Sequence, residues 1–378
     1  MKIALTGPLP PYRGGISRYM ENLASTLREA GQEVLLFSFR RQFPLRFYPG
    51  RSDLSPDRPQ RESGCRYTLD SLHPWTWLQT AAEIRRCRPD ALVIPWWLTL
   101  FAPMWGTLAR QVRKGGVRVV YICHNVLPHE RAFWDPSVTR WALRPGDGFI
   151  VQAGEEERQL LALLPGRPVR IVHHPVYDMF SPGLVSKADA RHSLGLSPEA
   201  RVLLFFGFVR PYKDLSNLLR ALALLVRENP RFHLLVVGEF LLDKPAYLRQ
   251  IGELNLSAHL TLVDRYIADR EVPLFFSAAD VLTMPYAHIS QSGAVQMAFG
   301  LGLPVIATRV GGLPEVIEEG KTGLLVPPQN HEKFADAIRH FYGAGLEPVM
   351  REEISRREKR SSWQRLMEAL LELIREGP

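Results

Sequence analysis

Apolar residues along this chain fall into two rhythms, short unbroken runs and positions spaced three or four apart. The run "KIALTG" comes first, and Ile16, Tyr19, Met20, Leu23, Ala24 and Leu27 then recur at helical spacing. That predicts a strand followed by a helix with one apolar face. Gly31 stops the helix, and "EVLLFSF" reads as a second strand. Gly14 and Gly15 stand between the first strand and the helix. Further on, "TWLQTAAEIRRCRP" and "GTLARQVRKGG" read as helices, and "ALVIPWW", "VRVVYIC", "DGFIVQ" and "PVRIVHHP" as strands. The arginine- and proline-rich "RRQFPLRFYPGRSDLSPDRPQRES" reads as a long irregular loop, a kind that is usually functional or mobile.

The pattern restarts near residue 201 with "RVLLFFG", the loop "FVRPYKD" and the helix "LSNLLRALALLVREN". Strands "FHLLVVG", "LTLV", "DVLTMP", "PVIAT" and "GLLVP" follow, separated by helices "AYLRQIGEL", "VPLFFSAA" and "SGAVQMAFGLG", with "EKFADAIRHFY" last. Buried-looking strands alternating with helices predict parallel sheets covered on both faces. The fold class is therefore α/β, with two doubly wound Rossmann-like domains. Turn formers gather at "HHPVYDMFSPGLVSKAD", so the expected division is 1–175 and 176–360. The amphipathic "SSWQRLMEALLELIRE", in 361–378, is expected to cross back to the first domain.

Composition narrows this picture. A length of 378 residues favours two domains over one core. Cys65, Cys87 and Cys123 are widely spaced, which argues for a reducing, cytoplasmic setting and against disulfides or a zinc site. "MKIALTG" runs straight into the first folded unit and does not read as a signal peptide. The apolar stretch 91–109 is interrupted by Pro95, Pro103 and Gly106, and reads as strand, loop and helix rather than a membrane span. Its Trp96, Trp97 and Trp105 fit a core, an apolar pocket or an interfacial face. The net charge of +8 suits anionic lipids or phosphorylated substrates. Without a nucleic-acid motif or aromatic platform, nucleic acid is not an expected partner.

In open parallel sheets ligands bind beyond the carboxyl ends of strands. Gly14–Gly15, His124, "FVRPYK" and "AHISQSG" all lie at such ends. Gly14 and Gly15 fit either a tight turn or the approach of an anion to a helix N-terminus. Arg210 and Lys213 fit a solvated basic loop or a diphosphate clamp. Ser292 and Gly293 fit an ordinary N-cap or a second anion site. His124 fits a structural or a chemical role. His124, His129, His173 and His174 do not make a zinc set, and no D-x-D pair is present to hold a divalent metal.

Taken together, "PPYRGGISRY", "CHNVLPHE", "FFGFVRPYKD", "FHLLVVGE", "AADVLTMPY" and "SGAVQMAFGLGLPVIATRVGGLPEVIEEGKTGLLVPP" carry a resemblance that spans nearly the whole chain. The chain resembles the group 1 glycosyltransferases (glycosyltransferase family 4), whose GT-B fold sets two Rossmann-like domains facing a central cleft. The resemblance implies a retaining, metal-independent, hexosyltransferase-type transfer from a nucleotide-diphosphate sugar, with no further cofactor. It implies that Arg210 and Lys213 hold the diphosphate and that His124 lies beside the donor sugar. Gly14 and Gly15 would form the glycine loop at the phosphates. Ser290, Gln291, Ser292 and Gly293 would contact sugar and phosphates, and Tyr266 and Ile267 would lie near the base. Glu315 belongs to the "GGLPE" element. One departure stands out: where many relatives carry two glutamates, this chain has Ile289 and Met297.

The acceptor implied is a glycan or a lipid-linked acceptor, with peripheral contact at the inner face of a membrane. The tryptophans of 91–109 and the basic loop 40–61 are the segments that suit such contact. Two other functions remain: a catalytically weak sugar-nucleotide-binding partner of another transferase, and a sugar-nucleotide epimerase of the same fold.

Overall fold

The structure, a computed structural model, describes residues 1–43, 50–58, 60–128, 132–177, 179–356 and 360–376. The chain forms two compact units, Met1–His173 with Arg360–Pro378, and His174–Lys359. In the first unit the strands are β1 (Lys2–Thr6), β2 (Glu33–Arg41), β3 (Cys65–Asp70), β4 (Ala91–Trp96), β5 (Arg118–Cys123), β6 (Gly148–Val151) and β7 (Val169–Ile171). They make one parallel sheet in the order β3-β2-β1-β4-β5-β6-β7. Its helices are α1 (Gly15–Glu29), α2 (Pro74–Cys87), α3 (Ala102–Arg113), α4 (Asp135–Leu143) and α5 (Gly154–Leu163). α3 packs between α2 and α4.

β4 and β5 are buried almost throughout, as a central parallel strand must be, and their apolar runs announce them. β3 sits at the sheet edge with a mixed pattern and is not announced by its sequence. α3 starts four residues earlier than its polar positions suggest, at Ala102. Pro103 lies in its first turn, where a missing N–H costs nothing, so it opens the helix instead of breaking it. Trp96 and Trp105 are 1% and 0% exposed, and Trp97 packs against the same cluster. The tryptophans of 91–109 are therefore core.

The second unit has strands β8 (Arg201–Phe206), β9 (Phe232–Val237), β10 (Leu260–Val263), β11 (Val281–Met284), β12 (Val305–Thr308) and β13 (Gly323–Val326). They form a parallel sheet in the order β10-β9-β8-β11-β12-β13. Its helices are α6 (Lys187–Ser193), α7 (Leu215–Glu228), α8 (Lys244–Glu253), α9 (Val272–Ala278), α10 (Gly293–Gly300), α11 (Leu313–Val316), α12 (His331–Gly343) and α13 (Leu346–Arg356). The buried Asp280 at the foot of β11 accepts from Arg191, Lys187, Tyr342 and the Val202 N–H, tying α6, α12 and β8 together. With its charge and lone pairs met on several sides, the carboxylate tolerates burial.

The last helix, α14 (Arg360–Arg375), returns to the first unit and packs on α1, β5 and β6. Leu366, Leu370 and Leu373 are fully buried there. Gly148 in β6 leaves room for Leu373, which would meet an added Cβ at 3.2 Å.

Both sheets reverse direction once. The chain steps outward from β1 to β2 and β3, then resumes on the other side at β4; in the second unit the same reversal separates β8 from β11. Adjacent strands whose connections leave in opposite directions open a crevice at their carboxyl ends, which is where ligands of such sheets bind.

Candidate active site

In the second unit, the loops after β8 and β11 flank that crevice. Arg210 precedes a tight turn, Pro211–Lys213, and the Lys213 N–H donates to the Arg210 carbonyl at 3.0 Å. The turn ends at Asp214, whose carboxylate accepts from the Asn217 N–H and caps α7. Lys213 folds inward. It is only 8% exposed, and its Nζ donates to the Phe206 carbonyl at 3.4 Å. Gly207, with φ +96°, makes this fit: a Cβ there would stand 2.9 Å from Nζ. Burial, reinforced by the neighbouring Arg210 charge, pushes the Lys213 ammonium down to about 7. A cation held there is costly until an anion joins it.

Tyr286 connects this loop to the next. Its ring lies 5.9 Å from Lys213 Nζ and is stacked with Tyr212, while its hydroxyl is 2.8 Å from Ser292 Oγ. Ser292 caps α10, its Oγ accepting from the Val295 N–H. The Ala287 N–H donates to the Tyr212 carbonyl at 2.8 Å, and Thr308 Oγ1 donates to the Tyr286 carbonyl at 2.6 Å. The loops after β8 and β11 and the end of strand β12 are thus joined around one buried tyrosine. Tyr286 carries no site signal in the sequence, because an aromatic following a buried strand looks like core.

A second brace comes from Gly311 and Gly312. The Gly312 N–H donates to the Ser290 carbonyl at 2.9 Å, and Gln291 Nε2 donates to the Gly312 carbonyl at 3.5 Å. Gly311 has φ +52°, and a Cβ there would lie 1.6 Å from the Ile289 carbonyl oxygen. Only glycine permits this approach. The "GGLPE" element therefore shapes the 289–292 loop through its glycines, whereas Glu315 is exposed in the first turn of α11. Ile289 and Met297 are both half-buried. On the other side of β8, Tyr266 is half-buried with its ring 6.4 Å from Phe208, and Ile267 is buried. Gly293 begins α10, where an added Cβ would lie 3.7 Å from the Tyr177 ring.

In the first unit, Gly14 precedes α1 with φ 108°, a backbone setting that favours glycine, and neither it nor Gly15 is crowded. Segment 50–58 lies along the preceding loop: the Arg13 N–H donates to the Asp53 carbonyl and the Ser55 N–H to the Pro11 carbonyl. Most of the central part of the basic loop, 44–49, lies outside the described residues, as do His129 and Glu130. His124 follows β5 and is 7% exposed. Its Nδ1 is 3.1 Å from Gln152 Nε2, and Tyr19 of α1 meets its ring edge-on at 4.5 Å. Trp363 of α14 packs on that tyrosine at 5.3 Å. His173 also meets Gln152, through its carbonyl. Among the described residues, no three His, Cys, Asp or Glu side chains converge as a metal set would.

Comparison with known proteins agrees with this architecture. The description "Glycosyl transferases group 1" matches residues 200–343, and "Glycosyltransferase Family 4" matches residues 13–178. A D-inositol 3-phosphate glycosyltransferase from Saccharomonospora viridis is 36% identical over 304 residues, covering 72% of this chain and 67% of that protein. Mycobacterial proteins of the same name match over only 48% of their length, so the chain spans about half of them. Among solved structures, sucrose-phosphate synthase from Thermosynechococcus elongatus superposes with a TM-score of 0.75 at 20% identity, covering 100% of both chains. HepE from Anabaena in complex with UDP gives 0.72 at 18%, covering 98% of this chain and 100% of that one.

Proposed function

Because the chain belongs to the group 1 glycosyltransferases (family 4), we propose that it moves a hexose from a nucleotide-diphosphate sugar to a glycan or lipid-linked acceptor, retaining anomeric configuration and needing no metal. The observation that carries the reading is Lys213. A buried ammonium held below its ordinary range, beside Arg210 and facing the α10 N-terminus through Tyr286, is an anion site awaiting its anion. UDP is the natural probe, since HepE is described in complex with UDP.

Cleavage of the sugar–phosphate bond leaves a further negative charge on the diphosphate. Fixed cations and helix-start N–H groups stabilise that charge as it forms, without reorganising. In this proposal Arg210 and Lys213 meet the leaving diphosphate. Ser290–Gly293 and the α10 start receive the phosphates and sugar, and Tyr266 and Ile267 lie at the base. Gly14 and Gly15 leave backbone open to phosphate, and His124 orients a donor hydroxyl. The acceptor hydroxyl adds to the anomeric carbon on the face the phosphate leaves, and its proton passes to the departing phosphate oxygen. Contact with a membrane belongs to the same reading, because a lipid-linked acceptor resides there.

Ile289 and Met297, standing where relatives have carboxylates, favour one rival: a sugar-nucleotide binder with little turnover of its own. Incubation of a donor panel with membrane extract in a chelator separates the two. The proposal expects release of nucleoside diphosphate with an α-linked product from an α-linked donor, and a Lys213→Ala enzyme slower by about 10²–10³. Nucleotide binding without acceptor-dependent release would favour the rival.

A further inference from the structure

The outer face of α4 is built the wrong way round for a helix covering a core. Phe133 and Trp134 just before it, and Trp141, two residues from its end, are 91%, 54% and 44% exposed. Trp134 and Trp141 stand seven residues apart, two helical turns, so they lie on one side of α4 with the exposed Ser137 between them, and Phe133 adjoins Trp134. Arg140 and Arg144 are exposed beside them. Arg110 of α3 lies with its guanidinium 4.0 Å over the Trp141 ring. Asp135, the one carboxylate in residues 132–144, is 4% exposed and points inward, accepting from Thr99 Oγ1 and the Ala132 N–H. The helix thus offers water aromatic rings and arginines, and no negative charge.

Aromatic side chains with a polar tip, interleaved with arginine, prefer the boundary between headgroups and acyl chains, and arginines there gain from anionic lipid. We propose that the exposed face of α4 is a docking surface for an anionic lipid bilayer. The chain's net charge of +8 acts in the same direction, drawing it toward such a surface. This rests on the reading of the protein as a transferase with a membrane-held acceptor, and it moves the membrane contact away from the tryptophans of 91–109. No described helix is long and apolar enough to cross a bilayer, so the contact proposed is interfacial.

The test is sedimentation with vesicles of phosphatidylcholine alone, or with about one-third phosphatidylglycerol, at low and high salt. Wild type is expected to pellet with the anionic vesicles at low salt, and not with the neutral ones. Arg140→Glu with Arg144→Glu, and separately Phe133→Ser with Trp134→Ser, should each cut partitioning by about tenfold or more. UDP affinity and the melting temperature, read on the same samples, should stay at wild-type values. That keeps loss of docking distinct from loss of the donor site. The proposal is overturned by variants that pellet like wild type or by wild type that ignores anionic vesicles. A wild-type dimer in the ultracentrifuge that these substitutions dissolve would also overturn it.

Discussion

At the scale of single residues, the proposed chemistry turns on Lys213. Its ammonium is depressed from an ordinary 10.5 to about 7, chiefly by burial and then by Arg210. In the ligand-free protein the unfolded chain therefore binds more protons than the folded one between those values, and stability should rise with pH across that window. UDP binding should show the opposite trend. A diphosphate restores the charge on Lys213, so above pH 7 binding takes up a proton and affinity falls by up to about tenfold per pH unit. Calorimetry in buffers of different ionisation heat, from pH 7.5 to 9, measures that uptake. Lys213→Met should flatten the slope, and a slope unchanged by the substitution would detach the effect from this residue. Tyr286 lies beside Lys213 but is hidden in the sequence, because its setting comes from two loops and a strand end that only the folded sheet brings together.

At the scale of elements, the crevice exists because the strand order reverses between β8 and β11. The apolar runs announce these strands one by one, since central parallel strands are buried on both faces. Their order depends on long-range pairing that no local pattern encodes. β3 and α4 escape the pattern for different reasons, β3 because an edge strand is only half-buried, and α4 because its exposed stripe is aromatic. The Lys213 and Ser292 loops were legible from their place after apolar runs. The brace from Gly311 was not, since "GG" alone cannot say which carbonyl it approaches. Gly311→Ala should force the 289–292 backbone to move, raising hydrogen exchange there and weakening UDP binding by about tenfold or more. Exchange rates and UDP affinity unchanged from wild type would mean that the loop does not depend on this contact.

At the scale of the whole molecule, the first unit is completed by residues from the far end of the chain. α14 seals β5 and β6, and its Trp363 backs the Tyr19 that holds His124. Leu370→Ala should cost the unit about 2–5 kcal/mol, read as a lowered denaturation midpoint; a midpoint at the wild-type value would show that the helix is peripheral to folding. The proposed donor chemistry, in turn, rests on cations and N–H groups fixed by the second sheet. The most direct measurement is a calorimetric titration of the whole protein with UDP in EDTA, repeated with Lys213→Met. The account predicts saturable binding in the chelator, weakened by about 10²-fold or more in the variant. Binding that vanishes in EDTA and returns with magnesium, or that is equally tight in Lys213→Met, would contradict it.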